Sequence, residues 1–167
     1  KLPVGKARYG IMLRDDGHVM DDGTTWRLSD DEYFMTTTTA QAGPVMLFLE
    51  ELLQTRMTNL EVHVSSVSDY WAGIAVAGPL ARQVLSRALP ALDWSNDAFP
   101  FMGVQSAELN LGGAVIPFRA ARISFSGERA WEIYVPADFG NVVWAHLAEH
   151  VALAGGSPYG MEALGTL

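Results

Sequence analysis

The distribution of apolar and polar residues over the first forty positions predicts three β-strands. Residues 8–14, 18–28 and 32–39 have strand patterns, and the later two are rich in Thr and aromatic residues. The segments DDGH and SDDE between them have turn composition, because Asp-Gly supplies the positive-φ positions that a hairpin prefers. We therefore predict a β-meander at this end of the chain.

The apolar period changes to that of a helix after Pro44, a residue that suits the first turn of a helix. A helix is predicted to Thr55, with Val45, Leu49 and Leu52 on one side. Further on, Asp138 is a plausible cap and Gly155 a plausible end for another helix. The remaining elements are strands near 60–67, 70–77, 102–111, 113–125 and 129–135, a short helix ending near Leu89, and a helical pattern in GMEALGTL at the last residues.

This order of elements predicts an α+β fold in which antiparallel sheets carry helices, and the segments around the helices resemble ferredoxin-like split βαβ units. A length of 167 residues suits one domain or two small ones. We place an approximate division between 1–90 and 91–167. The chain begins without Met and stops inside a helical pattern, so we expect it to be truncated at both ends.

Composition excludes several classes of function. A formal net charge of −8 argues against nucleic-acid and anionic-membrane partners, which bind clustered Lys and Arg. The absence of cysteine excludes disulfides, thiolate metal sites and a cysteine nucleophile. No apolar run reaches the roughly 18 residues of a membrane span, and no signal peptide is visible. We expect a cytoplasmic location.

Two adjacent acids, Asp21 and Asp22, stand inside a predicted strand. Neighbours in a strand point to opposite faces, so at most one of them faces the interior. One interpretation is a bulged edge strand with both carboxylates solvated. The other is that one Asp lies on the floor of a cavity and handles a proton, because an inward carboxylate is costly unless it is paired or wet.

For Glu132, too, the question is whether a carboxylate on a strand is solvated or faces a cavity. On its strand Trp131, Ile133 and Val135 share one face, which predicts a core. Glu132 then lies on the other face, either in solvent or in a second, polar cavity. His146 and His150 have the spacing of two metal ligands on a helix, but no third ligand lies nearby, so we predict no metal site.

Several motifs, in order, resemble those of the folate-binding aminomethyltransferase family, which includes the glycine cleavage T-protein and the alpha subunits of heterotetrameric sarcosine oxidase. The resemblance covers nearly the whole chain, and MDDG, MTTTT and FPFM are more similar to the oxidase branch. The motifs that carry it are ARYGIMLRDDGHVMDDGTTWRLSDDEYFMTTTTA, VAGPLARQVL, FPFM, RISFSGERAWEIYVP and SPYGMEALGTL.

The resemblance implies a role for five residues. Asp22 matches the catalytic aspartate, and Glu132 matches the glutamate that holds the pterin of tetrahydrofolate. Tyr9 matches an aromatic residue lining the folate pocket. Phe125 and Thr38 are likewise expected to bind folate, although the T-protein has tyrosine and asparagine at these positions; these two departures affect polar contacts to folate.

The resemblance further implies that the region transfers a one-carbon unit, capturing the methylene from oxidised sarcosine to give 5,10-methylenetetrahydrofolate. Asp22 would accept a proton or stabilise cationic charge; the residues do not decide between these roles. Flavin and NAD would bind in other parts of such an enzyme, and other oxidase subunits are expected partners. The alternative is a non-catalytic folate-binding or subunit-contact module of the same fold.

Overall fold

The computed structural model describes residues 1–166, and its first unit, Lys1–Ser68, is a three-stranded meander followed by a helix. The strands pair antiparallel in the order β1-β2-β3, so β2 is the central strand. Trp26 and Phe34 are buried together, with ring centroids 5.1 Å apart. The elements are β1 (Lys6–Leu13), β2 (Val19–Arg27), β3 (Tyr33–Met35) and α1 (Ala42–Thr55), the last preceded by a 3₁₀ turn at Thr39–Gln41.

The second unit, Asp69–Leu167, is a four-stranded antiparallel sheet with helices on one face. Its strands lie in the order β4-β7-β6-β5. The elements are β4 (Trp71–Ala77), α2 (Ala81–Ala88), β5 (Val104–Leu111), β6 (Ala114–Ala121), β7 (Ala130–Pro136), α3 (Gly140–Leu153) and α4 (Met161–Leu164), with 3₁₀ turns at Ser68–Tyr70 and Ala137–Phe139. Leu167, the end of the predicted helical pattern, lies outside the described residues.

The core of the second unit forms where α2 and α3 pack on the sheet. Leu85 and Leu147 of these helices are buried against Trp131 and Ile133 of β7. The Trp131 ring also meets Trp94 edge-on at 5.8 Å. The predicted core face of this strand, Trp131 with Ile133 and Val135, is confirmed, since all three residues are almost fully buried.

The α+β class predicted from the sequence is confirmed, but its ferredoxin-like detail is not. All strand pairs are antiparallel, and β4 and β5 are separated by two strands instead of the single strand of a split βαβ unit. The chain divides after Ser68, whereas the sequence placed the approximate division near residue 90. The difference arises because β4 pairs along its whole length with β7.

Three predictions of local structure are wrong. Residues 60–67 form no strand, because no described segment pairs with them and most of their side chains are exposed. The third strand ends at Met35, because the threonines that follow turn back over β2. Asp138 does not cap α3, which continues from a 3₁₀ turn.

The predicted end of the long helix α3 at Gly155 is confirmed. Gly155 ends α3 with a φ of 80°, a conformation that favours glycine. None of the helices in residues 1–166 is long and apolar enough to cross a membrane.

Candidate functional site

Tyr9 and Asp22 are joined by a hydrogen bond on the first sheet. The Tyr9 hydroxyl donates to Oδ2 of Asp22 at 2.8 Å. Tyr9 pairs with Thr24 and Asp22 with Ile11, so the side chains of these four residues share one face of the two-stranded ladder. This bond to a carboxylate is the main reason that the pKa of Tyr9 is raised, because losing the phenolic proton would place two negative charges together.

Asp21 points to the opposite face and is 4 % exposed. Its carboxylate accepts two hydrogen bonds from Thr38, one from the backbone N–H at 3.1 Å and one from the hydroxyl at 2.7 Å. The two adjacent acids therefore have different environments: Asp21 is held inside the fold by Thr38, and Asp22 is half-buried and oriented by Tyr9. We call the Asp21–Thr38 contact the carboxylate clamp.

The interpretation in which both acids of a bulged edge strand are solvated is wrong, because Asp21 is buried. At the acid pair the only strand in the ladder with β2 among residues 1–166 is β1, since β3 pairs with β2 at residues 25–27. One element of that interpretation does occur, because the ladder slips at Met12 and Leu13, leaving Met20 as an extra residue directly before Asp21. The register is continuous from Asp21 to Arg27, so strand alternation places Asp22 on the same face as the buried Trp26.

Gly23 explains how the clamp reaches Asp21. A Cβ atom at this position would lie 1.9 Å from the backbone oxygen of Thr36, so only glycine lets the segment after β3 cross here. Thr36 fixes the crossing through its hydroxyl, which lies 2.7 Å from that of Thr24. The segment then delivers Thr38 to Asp21. The Thr38 hydroxyl, which the family resemblance assigned to folate, donates to Asp21 in this structure.

Glu132 lies on the non-core face of the second sheet, half-buried, and accepts a hydrogen bond of 3.2 Å from the Tyr134 hydroxyl. Burial raises the pKa of Glu132, and the bond from Tyr134 opposes that rise only in part. Burial and the neighbouring carboxylate also raise the pKa of Tyr134. Of the two environments that the sequence left open for Glu132, full solvation is excluded.

The surroundings of Glu132 are small side chains. Its cross-strand partners are Ala75 and Ala121, and Ala75 and Gly73 are exposed. A Cβ at Gly73 would lie 3.1 Å from the Tyr134 ring, so this glycine gives the ring its place on the sheet. No role was predicted for Tyr134 from the sequence, although its position two residues after Glu132, on the same strand face, was a usable signal.

Phe125 lies in the connection between β6 and β7 and is 77 % exposed. Its ring is available for stacking, while the neighbouring residues Ser124 and Ser126 are half-buried. The structure thus brings Tyr9 to Asp22, and Thr38 to Asp21, in the first unit. In the second unit Glu132 is joined by Tyr134.

The paired histidines of α3 form hydrogen bonds to the backbone. Because a carbonyl oxygen only accepts, His146 donates through Nε2 to Ala88 and His150 donates through Nδ1 to the carbonyl of His146. Among residues 1–166 no group of three or more His, Cys, Asp or Glu side chains is placed to hold a metal ion.

Comparison with known proteins identifies the family. The chain belongs to the GCVT N-terminal domain family, whose model matches residues 1–167. It is 47 % identical to the sarcosine oxidase subunit alpha of Rhizobium meliloti (strain 1021) and 46 % identical to that of Corynebacterium sp. (strain P-1). Each match covers 100 % of this chain and 17 % of the relative.

More distant relatives are aminomethyltransferases. That of Listeria monocytogenes serotype 4a (strain HCC23) is 32 % identical over 100 % of this chain and 42 % of its own length. Among solved structures, the glycine cleavage system aminomethyltransferase T from Bartonella henselae superposes with a TM-score of 0.71 and 22 % identity. This superposition covers 87 % of this chain and 36 % of that one, and it supports the α+β fold.

Proposed function

We propose that this chain is a tetrahydrofolate-binding one-carbon transfer region of an enzyme similar to sarcosine oxidase, with Asp22 as its catalytic carboxylate. The observation that carries the proposal is the Tyr9–Asp22 pair. A half-buried carboxylate, oriented by a 2.8 Å hydrogen bond, stands at the position that the family resemblance matches to a catalytic aspartate. In such a region folate supplies the nitrogen atoms that take up the one-carbon unit.

Asp22 would either accept a proton or stabilise a developing positive charge. Tyr9 donates to Oδ2, and Oδ1 of Asp22 accepts no hydrogen bond from another side chain or backbone group in residues 1–166. That oxygen remains available to accept a proton or to face a developing positive charge. Asp21 cannot take this role, because both of its oxygens are occupied by the carboxylate clamp.

Glu132 would hold the pterin. A carboxylate accepts two parallel hydrogen bonds from a ring N–H and an adjacent amino group. Ala75, the exposed partner of Glu132 on β4, adds only a methyl group to the sheet surface on that side of the carboxylate, which suits a flat ring. The raised pKa of Glu132 also fits, since donors on a bound ring would offset the burial that disfavours its charged form.

A subunit-contact role is the second candidate, and one observation favours it. Tyr9, Ile11 and Leu13 of β1 and Val19 of β2 are each about half exposed, although they are large apolar residues. Surfaces of this kind mark protein contacts when they are contiguous. The two candidates differ in what they predict for folate binding.

The test is an anaerobic titration of the full-length protein with tetrahydrofolate, followed by tryptophan fluorescence. We expect saturable binding that Glu132→Gln weakens roughly ten- to hundredfold, since a charge-assisted pair is lost. Glu108→Gln, an exposed glutamate on β5 of the same sheet, is the matched control and should bind as the wild type does. Equal affinity in both variants, or no binding at all, would reject the proposal and favour the subunit-contact role.

A further inference from the structure

Arg82 and Arg122 lie over the Trp131 ring in the second unit, and Arg129 is close to Arg122. Arg82 projects from α2, Arg122 follows β6, and Arg129 precedes β7. The guanidinium carbons of Arg122 and Arg82 lie 5.4 and 5.8 Å from the centre of the Trp131 ring. Arg122 and Arg129 line one cleft of about 170 Å³ together with Ser124. We call the three arginines the arginine cluster.

The positive charge of the arginine cluster is not neutralised by this chain. In the part of the chain that the structure describes, no carboxylate forms an ion pair within 4.0 Å of any of the three. The partners are neutral: the side-chain oxygen of Asn96 accepts from Arg82, and the carbonyl of Phe99 accepts from Arg122 at 2.9 Å. Such an arrangement is unusual in a chain with a net charge of −8.

The like charges affect one another. Burial first, and then the proximity of Arg82 and Arg129, lower the pKa of Arg122. Stacking on Trp131 stabilises a cation and explains the positions of Arg82 and Arg122. It does not explain why a third arginine lies beside them without a counter-charge.

Several residues of this region carry buried donors, and one of them, Ser124, lines the cleft. Nε of Arg82, Nε1 of Trp131 and the hydroxyls of Ser124 and Ser126 are buried and have no hydrogen-bond partner among the described residues. The first two groups can only donate. Burial of a donor without an acceptor costs free energy, so a set of such donors beside positive charge is complementary to a group rich in acceptor oxygens.

We propose that Arg122, Arg129 and the hydroxyl of Ser124, which line the cleft, form a binding site for an oxyanion, a phosphate or carboxylate group, with Arg82 adding positive charge nearby. Arginine suits this ligand because its planar fork matches two oxygens at once. The site is separate from the proposed roles of Asp22 and Glu132, and its test does not depend on folate. Glu128 also lines the cleft and is exposed, so its charge opposes an incoming anion.

The experiment is calorimetric titration of the full-length protein in phosphate-free buffer at constant ionic strength, with orthophosphate in one arm and glutarate in the other. Arg122→Gln and Arg129→Gln should weaken binding at least tenfold. Arg87→Gln, an exposed arginine of α2 that changes the net charge equally, should leave it unchanged. Glu128→Gln should strengthen it.

The two arms separate the ligands: binding of orthophosphate alone identifies a phosphate site, and binding of glutarate alone or of both identifies a site that accepts carboxylates. Arg129 is exposed, so Arg129→Gln remains informative if the half-buried Arg122 proves necessary for folding. The inference is overturned if neither anion binds the wild type, or if Arg129→Gln and Arg87→Gln bind it equally.

Discussion

Tyr9 and Asp22 lie on neighbouring strands, and the tyrosine hydroxyl donates a 2.8 Å hydrogen bond to Oδ2 of the carboxylate. The Tyr9 side chain is otherwise half exposed, at 51 %. This hydrogen bond holds Oδ2 of Asp22 in place. Because the carboxylate is planar and rigid, it also fixes the direction in which Oδ1 points. We therefore regard Tyr9 as a positioning residue for Asp22.

Tyr9→Phe should lower the turnover of one-carbon transfer roughly two- to tenfold and leave the dissociation constant of folate unchanged, because only the orienting hydrogen bond is lost. Steady-state kinetics with a parallel folate titration measure both quantities. If folate affinity falls and turnover does not, Tyr9 lines the folate pocket and does not position Asp22.

Asp21→Asn should reduce the free energy of unfolding by about 1–3 kcal/mol. The clamp presents two donors to Asp21, and an asparagine has only one oxygen to receive them. Urea unfolding of the purified protein measures the loss. Asp22→Asn is the internal comparison, since it retains an oxygen for the Tyr9 hydroxyl, and it should cost less; the reverse ranking would argue against the clamp.

Gly23→Ala should destabilise the protein by about 1–3 kcal/mol or more, because the new Cβ would meet the backbone of Thr36 at 1.9 Å. Its partner directly across the ladder, Gly10, has nothing within 4 Å of a Cβ. Gly10→Ala is therefore the control, expected to be neutral or to stabilise by less than about 1 kcal/mol. Thermal unfolding of both variants measures the difference in stability. Equal shifts in the unfolding temperature would contradict the crossing of the Thr36 segment over Gly23.

The pH dependence of stability should change in Glu132→Gln. Because the folded-state pKa of Glu132 is raised above its ordinary value of 4.5, the fold favours the protonated acid. Its contribution is full below that value and is lost as pH rises through the folded pKa. Unfolding free energies measured from acidic to neutral pH should fall more steeply for the wild type than for Glu132→Gln. If the unfolding free energies of both proteins changed equally with pH, burial would not raise the pKa of Glu132.

The sequence predicted those features that follow from strand alternation. It separated Asp21 from Asp22 and placed Glu132 opposite the core residues Trp131 and Ile133, because side chains on a strand alternate whatever the sheet contains. It did not predict the clamp. That contact joins positions 17 residues apart, and it depends on a backbone crossing that Gly23 permits.

The sequence also did not predict which strands pair with each other. Residues 60–67 have strand composition, but no described neighbour pairs with them. β4 was assigned to the first part of the chain, and it pairs with β7, some sixty residues later. Which strands pair depends on which strand edges remain free after the other elements have packed. The local pattern of apolar and polar residues does not contain that information.

The most direct test of the proposed function is the rate of methylene transfer to tetrahydrofolate in the full-length protein carrying Asp22→Asn. We predict a loss of roughly 10²- to 10⁴-fold, the usual contribution of a general acid–base group, with folate binding retained. Asp97→Asn, an exposed acid in the second unit, should transfer at the wild-type rate. Wild-type transfer by Asp22→Asn would contradict the central claim.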